Sequence, residues 1–195
     1  MLELAHLHFK IYKPFEMLSQ LHSNDAKESR NKRFLSELHN FPEGIMPIGR
    51  LDEKSEGLLL LTTNGKLSDL VNRSGVEKEY YAQLDGEITN AAIELIQNGV
   101  EIGFHGKKYI TKTTIVSKLS IIPDLPEPDK KLRIGRHRPT SWISITITEG
   151  KFRQVRKMTA AVGFPTLRLI RIRIGDIKLA NLTPGEVIPI HNLSI

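Results

Sequence analysis

The chain contains no cysteine. Disulfides, thiolate nucleophiles and zinc sites built on cysteine are therefore excluded, and a reducing compartment is the natural setting. No apolar run approaches the length of about 20 residues that a membrane-spanning helix needs. The start, MLELAHLHFKIYKP, lacks the charged opening, long apolar stretch and small-residue cleavage site of a secretory signal. A soluble, cytoplasmic protein without a membrane partner is expected. Nucleotide motifs are missing too: there is no Walker-type glycine loop, no GxGxxG after a strand and no G-x-S-x-G nucleophile elbow. Acid is scarce in one region. Residues 130–195 hold 13 Lys and Arg against only Glu149, Asp176 and Glu186, whereas residues 1–129 hold 15 against 19. The net charge of +6 thus conceals one part at −4 and another at +10. From Lys151 to Arg173 there are seven basic residues and no acid. Such one-sidedness suggests a polyanionic partner. An acidic membrane surface fits less well, because the charges are interleaved with β-type alternation.

What is present is ordinary in bulk: 195 residues, 39% hydrophobic and 26% charged, enough for one domain or two closely packed halves. Ala5 to Leu18 reads as a short strand broken at Pro14. Asp25 to His39 fits a helix that buries Phe34, Leu35 and Leu38. Gly44–Leu51 and Gly57–Thr62 read as strands, Asn64-Gly65 as a turn and Lys66–Asn72 as a short helix. Lys78–Leu84 is the next strand, followed by a helix from an N-cap at Thr89 to Asn98, stopped by Gly99. Tyr109–Leu119 is β-rich. Pro123–Pro139, with four prolines and five Lys or Arg, is expected to be an exposed basic loop. Trp142–Thr148 alternates as a strand. Lys151–Val162 fits a helix closed by Gly163, with Phe152, Val155, Met158 and Val162 on its apolar side and Arg153, Arg156 and Lys157 on another. Arg171 and Arg173 share one face of a following strand and would complete a basic wall. Many strands with a few separated helices indicate the α+β class.

The run GRLDEKSEGLLLLTTNG, Gly49 to Gly65, carries the chemistry. It sets Asp52 in a polar turn beside Arg50, ahead of four leucines that read as a buried strand. On residue types alone Asp52 can be a nucleophile, a base or a metal ligand. Ser55 and Glu56 read best as partners that lock the loop. A Mg²⁺ site on Asp52, Glu53 and Glu56 is the weaker alternative, because no second acidic cluster follows. Tyr80 and Tyr81 face opposite ways on their strand, so one can pack in the core while the other lines a site. Arg156, flanked by Val155 and Met158, is expected to be half-buried and to need a carboxylate such as Asp52.

Three ordered segments then carry a resemblance: GRLDEKSEGLLLLTTNG, KEYYAQLDG (Lys78–Gly86) and EGKFRQVRKMTAAVGFPTLRLIR (Glu149–Arg171). Together they resemble the signatures of the pseudouridine synthases of the small- and large-subunit ribosomal RNA branch, over nearly the whole chain. PTSWISITITEG and GFPTLRLIR are most similar to the members acting on large-subunit (23S) rRNA. The resemblance implies a pseudouridine synthase fold, a mixed, mostly antiparallel sheet in two halves (roughly 1–70 and 71–195) with flanking helices and a central basic cleft. It implies isomerisation of a uridine already in RNA, with no cofactor and no metal. Asp52 would be the nucleophile, at ribose C1′ or uracil C6. Tyr80 would stack on the target base, and Arg156 would pair with Asp52. Arg50 would help open the RNA, with Arg153, Lys157, Arg171 and Arg173 as further RNA contacts. The N-terminal S4 domain of many relatives is not expected, and a monomer is. The alternatives are a non-catalytic RNA-binding or ribosome-assembly protein on the same fold, and a metal-dependent phosphodiesterase.

Overall fold

Alternation places Phe9, Ile11 and Lys13 on one side of the first strand, and all three are buried. The computed structural model describes residues 6–136, 138–191 and 193, so Ala5, the expected start of that strand, lies outside the described residues. In chain order these residues form β1 (His8–Lys13), α1 (Ala26–Asn31), a 3₁₀ turn (Leu35–Glu37), β2 (Met46–Ile48), β3 (Glu56–Thr62), α2 (Gly65–Arg73), β4 (Lys78–Asp85), α3 (Asn90–Asn98), β5 (Glu101–Phe104), β6 (Lys107–Ile110), β7 (Ile115–Leu119), β8 (Thr140–Ile147), α4 (Gln154–Ala161), β9 (Thr166–Ile174), β10 (Ile177–Lys178) and β11 (Val187–Ile190). The ladders β1–β11, β1–β3, β2–β3, β9–β10, β4–β8, β7–β8 and β5–β6 are antiparallel, with isolated parallel bridges at Met17–Arg33 and Gly86–Thr140. This is the expected α+β class. No helix among the described residues is long and apolar enough to cross a membrane.

The chain divides into two compact units. One holds the described residues up to Val76 and those from Arg171 onward; the other is Glu77–Ile170. The expected halves, roughly 1–70 and 71–195, do not include the return of the chain to the first unit from Arg171. The cause is β11, which lies antiparallel to β1 with Ile11 opposite Val187 and Phe9 opposite Pro189.

In the first unit β1 also pairs with β3, Ile11 opposite Leu59 and Phe9 opposite Leu61, while β2 sets Ile48 opposite Leu60. Every residue of β3 is buried, and Leu58 to Leu61 are wholly inaccessible. Leu59 and Leu61 join Phe9, Ile11, Met17, Leu35 and Ile45 in the core. The expected helix over Asp25–His39 is a six-residue helix only. Asp25 caps it, its Oδ1 accepting from the Glu28 N–H at 2.7 Å, and none of its residues is buried. The chain then extends so that Arg33 O accepts from the Leu18 N–H at 2.9 Å, which turns Phe34 and Leu35 into the core through the 3₁₀ turn. α2 begins one residue before the expected Lys66, at Gly65, with Asn64 of the expected turn as its cap: Asn64 Oδ1 accepts from the Leu67 N–H at 3.1 Å.

In the second unit β8 lies between β4 and β7, with Tyr80 opposite Ile145 and Val116 opposite Ile145 from the other side. Thr89 caps α3 through the Ala92 N–H, and Gly99 ends it. Gly99 has φ +97, and a Cβ there would lie 2.3 Å from Thr111 O, so only glycine fits. The long loop before β8 is anchored at its end by Arg138, which pairs with Asp85 at 3.2 Å and donates to Gly163 O at 3.2 Å.

Leu59→Ala removes a wholly buried side chain from a layer covered on both faces. Urea unfolding is expected to show a loss of about 2–5 kcal/mol. A loss below about 1 kcal/mol would mean that β3 does not anchor the first unit.

Candidate active site

Asp52 sits half-buried between β2 and β3, in a stretch whose backbone is tied down on both sides. Before it, Ser19 holds both polar groups of Leu51: its Oγ donates to Leu51 O at 2.9 Å and accepts from the Leu51 N–H at 3.0 Å. After it, the Ser55 N–H donates to Asp52 O at 2.9 Å. Lys32 Nζ holds the Glu53 carboxylate at 2.8 and 2.9 Å. Ser55 and Glu56 are buried, as expected of residues that lock the loop, and Tyr12 Oη donates to Glu56 Oε1 at 3.5 Å. Among the described residues no group of three or more His, Cys, Asp or Glu is placed to hold a metal ion.

The deepest tie is Lys13, a side chain with no exposed surface. Its Nζ donates to Pro14 O and Met17 O at 2.7 Å each and to Glu53 O at 3.3 Å, matching three carbonyls to the three N–H bonds of an ammonium. Burial pushes this ammonium from its ordinary 10.5 down to about 7, against the pull of Glu56, Asp52 and Glu53, while Arg171 adds to the push. Sequence reasoning missed this residue. The signal was there: Lys13 continues the buried face of Phe9 and Ile11.

The other expected residues divide between the units. Arg50, Asp52, Arg171 and Arg173 belong to the first; Tyr80, Arg153, Arg156 and Lys157 belong to the second. Arg50 is exposed. Arg171 is not part of an open wall: it is only 3% exposed, and its Nε donates to Leu58 O at 2.8 Å. Arg173 is half-buried and donates to Gly175 O at 2.8 Å. Tyr80 is buried on β4, while Tyr81, facing the other way, is half-buried. Arg156 is half-buried on α4, as expected, and donates to Thr166 O at 3.1 Å.

The expected helix from Lys151 starts three residues late. Arg153 takes the left-handed conformation at φ 53, α4 begins at Gln154, and Phe152 is 65% exposed instead of facing the core. A cluster that the sequence reading did not single out fixes this turn. Glu149 accepts from Tyr109 Oη at 2.5 Å, from the Lys112 N–H at 3.0 Å and from Gln154 Nε2 at 2.7 Å. Burial pushes the Glu149 pKa up, but these bonds and Lys151 outweigh it and hold the carboxyl below its ordinary value.

A carboxylate on a backbone fixed from both sides can meet an electrophilic carbon with little reorganisation. The model of the RNA pseudouridylate synthases matches residues 8–161, a span containing Asp52, Tyr80 and Arg156. The chain belongs to the RNA pseudouridylate synthase family. It is 38% identical over 176 residues to ribosomal large subunit pseudouridine synthase E of Xanthomonas campestris pv. campestris, spanning 89% of this chain and 90% of that protein. It is 36% identical to the protein of the same name from Vibrio parahaemolyticus, over 89% of this chain and 69% of that one. A crystal structure of a pseudouridylate synthase matches with a TM-score of 0.73 at 26% identity, over 95% of this chain and 70% of the other. Pseudouridylate synthases are isomerases, which is the enzyme class expected from the three sequence segments.

Lys13 gives this synthase a pH-dependent stability. Between about 7 and 10.5 the unfolded chain binds the lysine proton more readily than the folded one. The cost of the buried charge is therefore fully present below 7 and is relieved as pH rises. Relative to Lys13→Met, wild-type stability in urea is expected to increase from pH 7 to 9, by at most about 1.4 kcal/mol per pH unit for one proton. A difference that stays level across that range would show that the three carbonyls keep Lys13 charged.

Proposed function

We propose that this enzyme isomerises a uridine within large-subunit ribosomal RNA to pseudouridine, using Asp52 as the nucleophile and no cofactor. The observation that carries the reading is Asp52 itself: a half-exposed carboxylate held between the Ser19–Leu51 bonds and the Lys13–Glu53 bond, in a chain of this family. Large-subunit rRNA as substrate is supported by the names of the relatives that match almost nine-tenths of the chain.

In this scheme Asp52 attacks ribose C1′ or uracil C6, and the bond from C1′ to N1 breaks. The uracil turns, C5 bonds to C1′, the bond between Asp52 and C1′ (or C6) breaks to return the free carboxylate, the C5 proton leaves and N1 takes up a proton, so the product is an isomer of the substrate. By the resemblance, Tyr80 stacks on the target base and Arg156 supplies the counter-charge for Asp52. Arg50, exposed next to the nucleophile, is assigned to the opened RNA, with Arg153, Lys157 and Arg173 as further contacts. Arg171, already spent on Leu58 O, is instead assigned to support of the Asp52 segment. Extruding a base costs a few kcal/mol, and phosphate contacts to the basic second half are suited to offset it. The enzyme is taken to act as a monomer, in the cytoplasm with its rRNA.

The test is tritium release from C5-labelled uridine in a large-subunit rRNA transcript. Wild type is expected to release tritium, with chelator present, and Asp52→Ala to be slower by at least about 10³-fold. Binding without release by both proteins, on free rRNA and on precursor particles, would point to an RNA-binding role alone. Release that chelator abolishes would point to a metal.

A further inference from the structure

Among the described residues, Phe152 is the one phenylalanine, tyrosine or tryptophan side chain that is exposed. A lone exposed ring needs no special account, but this one is held. Lys157 Nζ lies 5.3 Å from its centroid, and the same ammonium donates to Gly103 O at 2.7 Å, fixing the end of β5 beside it. Next to Gly103, the Phe104 ring lies 5.0 Å from Lys151 Nζ, which is also 4.9 Å from the centroid of Tyr109. The result is a band in which rings and ammonium groups alternate: Phe152, Lys157, Phe104, Lys151 and Tyr109. Arg153, exposed and held at φ 53, stands next to it. Glu149, the one acid between Lys130 and Gly175, is engaged by Tyr109, Gln154, Lys112 and Lys151, so this stretch is strongly cationic.

We propose that Phe152 is a stacking platform for an unpaired base of the RNA outside the target uridine, with Lys157 and Arg153 taking the adjoining phosphates. Resting on the reading of the enzyme as an rRNA pseudouridine synthase, this makes Phe152 a specificity-determining residue. A single strand is recognised by this combination, because every base offers a π-face to an aromatic ring while cations follow the backbone. A duplex keeps its bases stacked on each other and would leave Phe152 without a partner. The Lys157 contact holds the ring in place before RNA arrives, which lowers the ordering cost of binding.

The experiment uses the full chain and the large-subunit rRNA fragment that wild type binds most tightly, with single abasic sites introduced one at a time along it. Phe152→Ala is expected to weaken binding about 5- to 100-fold, and Phe152→Trp to retain it. One abasic position should weaken wild type by a similar factor and leave Phe152→Ala unaffected, the non-additivity of a direct contact. The slope of affinity against salt should be unchanged in Phe152→Ala and reduced by about one in Arg153→Ala. Thermal unfolding of Phe152→Ala should match wild type, since the ring is exposed. Binding by Phe152→Ala within twofold of wild type overturns the proposal and leaves a protein contact as the role of the ring. An equal loss on every abasic RNA, or no RNA binding by wild type, overturns it as well. Tritium release by wild type reports separately on the synthase reading, so the two failures are distinguishable.

Discussion

A lysine amine without access to water sits at the base of the Asp52 segment, and the geometry around it follows from what its ammonium form requires. Removing an ammonium from water costs several kcal/mol unless hydrogen bonds and opposite charge replace the hydration. Lys13 obtains the first from three backbone carbonyls and the second from Glu56, Asp52 and Glu53. These carbonyls belong to two stretches of chain, one following β1 and one containing Asp52. Satisfying the ammonium therefore fixes the distance between them. An apolar residue would fill the volume yet leave three carbonyls without a donor, which is worse than a cavity in kind: it would release the backbone next to Asp52. Ser19 adds a second tie of the same type, since one hydroxyl serves both the N–H and the C=O of Leu51. Main-chain bonding on both sides of Asp52 thus fixes the position of its backbone.

Elements defined by local chemistry were legible in the sequence. Thr89 caps a helix because its side-chain oxygen reaches the N–H three residues on, a spacing visible in one dimension; Asn64, read as part of a turn, caps α2 in the same way. The four leucines of β3 are buried on both faces, which a continuous apolar run announces. Elements defined by distant partners were not legible. Nothing near Lys32 says that Arg33 must bridge to Met17, yet that bridge breaks the expected helix and turns Phe34 inward. Arg171 alternates with Arg173 as a basic face should, but its guanidinium is claimed by Leu58 O, more than one hundred residues away. Spacing states which side chains share a face. It does not state whether water or a carbonyl waits there.

The same distinction separates what was readable in the candidate site. Asp52 and Tyr80 stood out through their motifs, and Arg156 through its apolar flanks. The scaffolding did not, since Lys13, Ser19 and Lys32 act through backbone and ion-pair contacts with residues far along the chain. Yet Lys13 shows that a period-two reading could have gone further. A lysine in register with Phe9 and Ile11 must either break the pattern or be buried with partners, and the second outcome is the more informative one. The two units also draw their residues unequally: Asp52 and its ties lie in the first, while Tyr80 and the cationic turn of α4 lie in the second.

At that turn the helical pattern of Phe152, Val155, Met158 and Val162 called for one more turn of helix, and the chain declines it. Extending α4 backward would swing Phe152 toward the core and restore ordinary backbone angles at Arg153. Instead Arg153 is held in the left-handed region, at a cost of about 1–2 kcal/mol. The Glu149 cluster provides what holds it: Gln154 Oε1 accepts from the Lys151 N–H at 3.0 Å, while Gln154 Nε2 donates to Glu149, bracing the turn from inside. Burying a phenylalanine would have been worth about 1.5–3 kcal/mol. The fold thus concedes both the strain and the burial at one place, and the side chains released to the surface are an aromatic ring and a guanidinium. Stability alone selects neither. A polyanion with unpaired bases accounts for both, because the ring and the charge answer different halves of a nucleotide.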